Sequence, residues 1–140
     1  MDNGVVVRIG GNPEGSAASY KWEDGTHVVN ISKHLTTSAE GETYIDHVSA
    51  FAHEGNHGYR TGLYSQGKIP SYFENKSGII EHEIFAYTTG GYVTQWASQN
   101  GNYGGSSYLN SDGTLNLIKI RLKALGSANN RCIRVKIPGC

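Results

Sequence analysis

Hydrophobic and polar positions follow a helical period in the middle of the chain. From residue 43 to residue 59, apolar residues and glycine recur every three or four positions, and no proline interrupts them. Residues 37–40 (TSAE) have the form of a capping box near the start, and residues 58–62 predict the end of this helix. Its predicted buried stripe consists of Val48, Phe51, Ala52, Gly55 and Tyr59.

A second helix is predicted over residues 78–99, and the segment that follows is ambiguous. In the second helix, Ile80, Ile84, Tyr87 and Gly91 form one apolar face. Residues 115–125 fit either a strand or a helix. We favour a helix that is capped by Ser111 or Asp112 and stopped by Gly126.

The remaining hydrophobic segments alternate with the period of a strand. Val5, Val7 and Ile9 predict a first strand. Within residues 20–32, the dipeptide Asp24-Gly25 between apolar runs indicates a hairpin, whose second strand is residues 26–32. Residues 132–137 read as a final strand. The predicted fold class is therefore α+β, with a short antiparallel sheet and at least two helices.

The first predicted helix carries the sequence His53-Glu54-Gly-Asn-His57. Histidines four residues apart lie one helical turn from each other, so both imidazoles can reach one metal ion. The glutamate after the first histidine then accepts a proton from water that the ion activates. The pattern predicts His53 and His57 as Zn²⁺ ligands and Glu54 as the catalytic base.

A catalytic zinc site usually has a third protein ligand and one open position. The candidates lie at the start of the second helix, where Glu81, His82 and Glu83 follow one another. Successive helical positions differ by about 100°, so the two glutamates cannot point at one ion. We expect Glu83, at the edge of the apolar face, to be the ligand, with Glu81 and then His82 as alternatives.

With these residues in place, the chain resembles the gluzincin class of zinc metallopeptidases. More specifically, its pattern resembles that of the compact metallopeptidase domains at the C-terminal tips of bacterial polymorphic toxins, including Rhs-type proteins. The matching residues are His53, Glu54 and His57, then Glu81, Glu83, Ala86 and Tyr87, within residues 26–97. Such families usually have alanine after the ligand glutamate, where this chain has Ile84.

The resemblance implies a zincin-like domain that hydrolyses peptide bonds and acts as an interbacterial toxin. Its partners would be a protein or peptide substrate and a cognate immunity protein. Length and a hydrophobic content of 37% predict that residues 1–140 form one domain. The resemblance implies that this domain belongs to a larger bacterial protein that is secreted or delivered into a target cell. It further implies that the strand at residues 26–32 edges the cleft and pairs with substrate. The N-terminal sequence is too short and wrongly flanked for a signal peptide.

The oxyanion that forms during hydrolysis needs a donor besides the metal. The candidates are Tyr87, Tyr59, His82 and His34, and Tyr87 is preferred because it lies one turn beyond Glu83. Two other interpretations remain open: a binding module with a structural zinc ion, and a zinc amidase that cleaves cell-wall peptides.

Charge and cysteine content add two questions. The chain has 12 acidic and 12 basic residues, yet residues 113–140 carry six of the basic residues and no acidic one. This tail either offsets the acidic body or binds an acidic partner; no nucleic-acid-binding motif accompanies it. Cys132 and Cys140 are eight residues apart and predict either a disulfide or two free thiols.

Overall fold

A computed structural model describes residues 5–9, 18–31, 42–71, 74–101, 108–137 and 140. The described elements are three strands followed by three helices, so the predicted α+β class is confirmed. In chain order they are β1 (Val5–Ile9), β2 (Ala18–Glu23), β3 (Thr26–Ile31), α1 (Glu42–Ser65), α2 (Lys76–Gln99) and α3 (Leu117–Val135).

The three strands form a mixed sheet with β3 in the centre. β2 pairs with β3 in antiparallel register through the predicted hairpin. Asp24 and Gly25 have positive φ values of 48° and 79°, the conformation that a tight hairpin turn demands. β1 pairs with the other edge of β3 in parallel, from Val5 opposite His27 to Ile9 opposite Ile31. The predicted short antiparallel sheet is therefore confirmed for β2 and β3 and wrong for β1.

Helix α1 forms where it was predicted, but its buried side is different. It continues to Ser65, beyond the predicted end. Phe51 and Tyr59 are 37% and 63% exposed, so the predicted apolar stripe is wrong at these positions. The buried line is polar and includes Ser49, His57 and Thr61, because this side of α1 packs against α2 and β2.

Helix α2 confirms the second predicted helix, again with a rotated buried face. Asn75 caps its start by accepting the backbone N–H of Gly78. The buried positions follow Ile79 rather than Ile80; they are Ile79, His82, Glu83, Ala86, Gly90, Gly91, Thr94 and Ala97. Four of these eight residues are glycine or alanine, and at Gly90 and Gly91 side chains and backbone from α1 and from the α3 side approach the α2 backbone closely.

Helix α3 resolves the ambiguous segment as helix and extends it well past the predicted stop. Asn116 is the N-cap, whereas Asp112 accepts the N–H of Thr114 within a preceding turn. Gly126 lies inside the helix, and the predicted strand at residues 132–137 is wrong because α3 continues to Val135. Buried side chains at every fourth position explain the length: Ile120, Ala124, Ala128 and Cys132.

Cys132 and Cys140 form a disulfide that ties the end of α3 to the last residue. Of the two predicted states, the structure has the disulfide. Cys132 belongs to a core cluster with Ile79 and Ala128. Closing a loop of eight residues is expected to contribute about 2.5 kcal/mol through the entropy of the unfolded chain.

Replacing Cys140 by alanine is therefore expected to lower the free energy of unfolding by about 2.5 kcal/mol under oxidising conditions. Denaturant unfolding with and without a reducing agent measures this effect. The wild type should fall to the stability of Cys140→Ala on reduction, whereas the variant itself should not respond. A wild type that ignores the reductant would contradict the prediction.

In the part of the chain that the structure describes, none of the helices combines the length and hydrophobicity that crossing a membrane requires.

Candidate metal centre

The side chains of two histidines of α1 converge on one point beside the helix. His53 and His57 lie one turn apart, and their Nε2 atoms are 3.1 Å from each other. The rings meet edge to face, with centroids 4.7 Å apart. This arrangement follows from the helical spacing that the sequence predicted.

Glu83 of α2 completes a group of three potential ligands. Its Oε2 atom lies 3.8 Å from Nε2 of His53 and 3.8 Å from Nε2 of His57. The three ligand atoms lie within 4.8 Å of one another, so the group could hold a metal ion. Bonds of 2.0–2.1 Å in a tetrahedral zinc site place ligand atoms about 3.3 Å apart, close to these separations. The donor set, two imidazoles and a carboxylate, also suits zinc.

The structure places the two alternative ligands elsewhere. Glu81 has an exposed side chain, and its Oε1 lies 3.7 Å from the Arg60 guanidinium. His82 is completely buried, and its Nδ1 lies 2.8 Å from Nδ1 of His57. Neither residue belongs to the group of three.

His82 instead contacts the ring nitrogen of His57 that faces away from the potential metal site, and it determines which nitrogen of His57 carries the proton. For Nε2 of a neutral His57 to bind a metal, its Nδ1 must carry the proton and donate a hydrogen bond to Nδ1 of His82. Burial lowers the pKa of His53 to about 4, lowers that of His82 to about 3, and moves that of His57 well below its usual value. All three imidazoles are therefore neutral near pH 7, the state in which they can ligate a metal.

Glu54 lies beside the three ligands and faces the same cavity. Its Oε1 atom is 3.9 Å from Nε2 of His53. Burial, and then the negative charge of Glu83, raise the pKa of Glu54 to about 7, while the backbone N–H of Tyr20 donates to its carboxylate and opposes the rise. A carboxyl with a pKa near neutrality suits proton transfer at that pH.

Arg131 of α3 is a site residue that the sequence analysis missed. Its guanidinium lies 3.7 Å from Oε1 of Glu83, while Oε2 of the same carboxylate faces the histidines. Burial raises the pKa of Glu83, and the charge of Arg131 counteracts that rise. Arg131 therefore favours the ionised form of the carboxylate and helps to orient it. The reading of residues 132–137 as a strand hid this position, because only a continuous helix brings Arg131 to α2.

The site opens into a cavity of about 420 Å³. The three potential ligands His53, His57 and Glu83, called the metal group below, form the floor of the cavity together with Glu54. β2 forms one wall through Ala18, Ser19 and Tyr20, and α3 forms the other. The expectation that β3 edges the cleft is wrong. β3 lies between β1 and β2, and the cleft-lining strand is β2.

Of the three predicted oxyanion donors that the structure describes (Tyr87, Tyr59 and His82), only Tyr87 lines the cavity. Its hydroxyl is 2.7 Å from Oγ of Ser127, and its ring packs against His53 with centroids 4.3 Å apart. Tyr59 is exposed on another side of α1, and His34 lies outside the described residues. Tyr20 was missed: its ring packs near His57, and its hydroxyl lies 2.9 Å from Nδ1 of His27.

The raised pKa of Glu54 predicts a pH-dependent stability in the metal-free protein. A buried carboxyl whose folded pKa of about 7 exceeds the unfolded value of 4.5 contributes stability below pH 4.5 that is lost as pH rises through 7. Glu54→Gln removes this loss, so its advantage over wild type should grow by about 3 kcal/mol between pH 4.5 and pH 8. Denaturant unfolding at several pH values measures the difference, and parallel pH profiles would contradict the prediction.

Comparison with known proteins found no similar family model, curated protein or solved structure for this chain.

Proposed function

We propose that this protein is a zinc-dependent metallopeptidase. The observation that carries the proposal is the convergence of His53, His57 and Glu83, with Glu54 beside them, on the floor of one cavity. Two helices separated in sequence supply these side chains. Three protein ligands within the described residues are the number typical of a catalytic zinc site, which retains a position for water or substrate.

Each residue of the site has a role that its surroundings support. When bound, zinc would act as a Lewis acid that polarises the substrate carbonyl and makes water a better nucleophile. Glu54 takes the proton of the attacking water and passes it to the leaving amine. Tyr87 lines the cavity, and its hydroxyl donates a hydrogen bond to the oxyanion. A hydrogen bond with Ser127 orients this hydroxyl.

Two other interpretations of the same residues lead to different outcomes. A binding module with a structural zinc ion would normally use four protein ligands, and the described group has three. An amidase that acts on cell-wall peptides would use the same metal group, so it differs from a peptidase only in its substrate. Hydrolysis must therefore be assayed with both protein-derived peptides and cell-wall peptides.

The biological setting is proposed from the resemblance alone. Similarity of the motifs to toxin metallopeptidase domains suggests an interbacterial effector that is delivered as part of a larger protein. A cognate immunity protein would then protect the producing cell.

Metal analysis and hydrolysis assays together test the function. We expect about one zinc ion per chain in wild type, and its loss in His53→Ala. Zinc-loaded wild type should cleave a mixed peptide library or cell-wall peptides, detected by mass spectrometry. Arg60→Ala changes a basic residue of α1 that pairs with Glu81 outside the metal group, so it should keep the metal. A folded wild type that binds no added zinc would end the proposal.

A further inference from the structure

The wall of the cavity that α3 provides is positively charged. Ser127, Asn130, Arg131 and Arg134 all line the cavity, and their spacing of three and four places them on one face of the helix. No acidic residue occurs after Asp112, so nothing along this helix offsets the charge. The basic C-terminal segment thus contributes part of its charge to the cleft itself.

The two arginines of this wall differ in what they contact. Arg131 is mostly buried and pairs with Glu83. Arg134 is exposed, and among the described residues no carboxylate lies within ion-pair distance of it. The guanidinium of Arg131 is therefore engaged by Glu83, whereas the guanidinium of Arg134 is accessible to a ligand in the cavity.

The position of Arg134 relative to the metal group is set by the helix. Arg131 contacts a predicted metal ligand, and Arg134 is the next residue along the same face, about 5–6 Å away between Cβ atoms. Arg134 and the three potential metal ligands line the same cavity, so a substrate that reaches the ligands can also contact Arg134.

Resting on the proposed peptidase function, we propose that Arg134 binds a carboxylate of the substrate and selects for it. A guanidinium matches a carboxylate in two parallel hydrogen bonds, and the Asn130 amide beside it can donate a third. The carboxylate belongs either to an Asp or Glu side chain near the cleaved bond or to the free C-terminus of a peptide. Arg134 is thus a specificity residue, distinct from the residues that perform hydrolysis.

Binding measurements on an inactive protein test this proposal directly. The zinc-loaded Glu54→Gln protein is titrated with three peptides: Ac-Ala-Ala-Glu-Ala-Ala-NH₂, the same peptide with Gln, and the Gln peptide with a free C-terminal carboxylate. We expect at least one acidic peptide to bind about tenfold more tightly than the neutral amide. Preference for the Glu peptide identifies a side-chain carboxylate, and preference for the free acid identifies the C-terminus.

Variants of α3 then assign the preference to a residue. Adding Arg134→Ala should abolish the preference, and Arg134→Lys should restore part of it. Arg121→Ala removes the same charge from an exposed position of α3 outside the cavity, so it should leave the preference intact. Equal affinity for all three peptides, or an equal loss in Arg121→Ala, would overturn the proposal.

Hydrolysis by the protein with native Glu54 separates this proposal from the proposed function. If zinc-loaded protein cleaves no peptide while binding still depends on Arg134, the peptidase function fails and the carboxylate site stands. If it cleaves acidic and neutral peptides at the same rate, and Arg134→Ala changes neither rate, the carboxylate site fails and the peptidase function stands.

Discussion

The Glu54→Gln protein is expected to bind zinc as wild type does and to lose peptide hydrolysis by a factor of about 10²–10⁴. Glutamine has nearly the same shape as glutamate but cannot accept a proton from water. The group of potential ligands does not include Glu54, so metal content should not change. Hydrolysis rates and zinc content measured on one preparation check both parts of the expectation.

Glu81→Gln provides the matched control for this substitution. Glu81 lies on α2 near Glu83, but its side chain is 65% exposed and faces Arg60 rather than the cavity. The same chemical change at this position should leave both metal content and rate close to those of wild type. Wild-type activity in Glu54→Gln would exclude Glu54 as the base, and an equal loss in Glu81→Gln would mean that the assay reports a general effect of charge.

The second large effect is expected at Gly90, where α2 lies in close contact with Ser49 of α1. A Cβ atom on Gly90 would lie 2.9 Å from the backbone oxygen of Ser49 and 2.9 Å from its Oγ. Oγ of Ser49 also donates to the carbonyl of Gly90 at 2.9 Å. Because a backbone atom blocks the space, Gly90→Ala must push the helices apart and should destabilise the fold by about 1–3 kcal/mol.

The same substitution at Gly126 should have the opposite sign. Gly126 lies inside α3, and nothing lies within 4 Å of a Cβ atom added there. Alanine should therefore stabilise the helix by about 0.5–1 kcal/mol. Thermal or denaturant unfolding of the two variants checks the contrast, and a Gly90→Ala protein as stable as wild type would contradict the helix packing described above.

Separation of α1 from α2 should also reach the metal group. Gly90 lies two helical turns after Glu83, and Ser49 lies one turn before His53. The Glu83 carboxylate and the two imidazoles come from opposite sides of this contact, so Gly90→Ala should weaken zinc affinity as well. Gly126→Ala leaves that contact alone and should bind zinc as wild type does.

Local signals made much of this molecule predictable. The spacing of His53 and His57 within a helical segment places both imidazoles on one side of a turn, whatever the helix packs against. The Asp24-Gly25 turn likewise needs only local backbone conformation, and the structure confirms the hairpin. The choice of Glu83 over Glu81 rested on helical angles, and the structure places Glu83, not Glu81, in the group that could hold a metal ion.

Predictions that depended on packing partners failed more often. The buried side of α1 was assigned to Phe51 and Tyr59 because hydrophobicity alone favours burial, but polar side chains such as that of His57 are buried there instead. Gly126 was read as a helix stop from its intrinsic propensity, yet packing of Ala124, Ala128 and Cys132 carries α3 through it. In both cases tertiary contacts outweighed the local preference.

The sequence by itself determined the α+β class, the hairpin, two helices and the pair of histidines, since each depends on residues close together in the chain. Only the tertiary structure decided the parallel pairing of β1, the position of His82 behind His57, and the approach of Arg131 and Arg134 to the cleft. These contacts join residues far apart in sequence or depend on how one element packs on another. Periodicity shows which side chains share a face, and packing decides what that face meets.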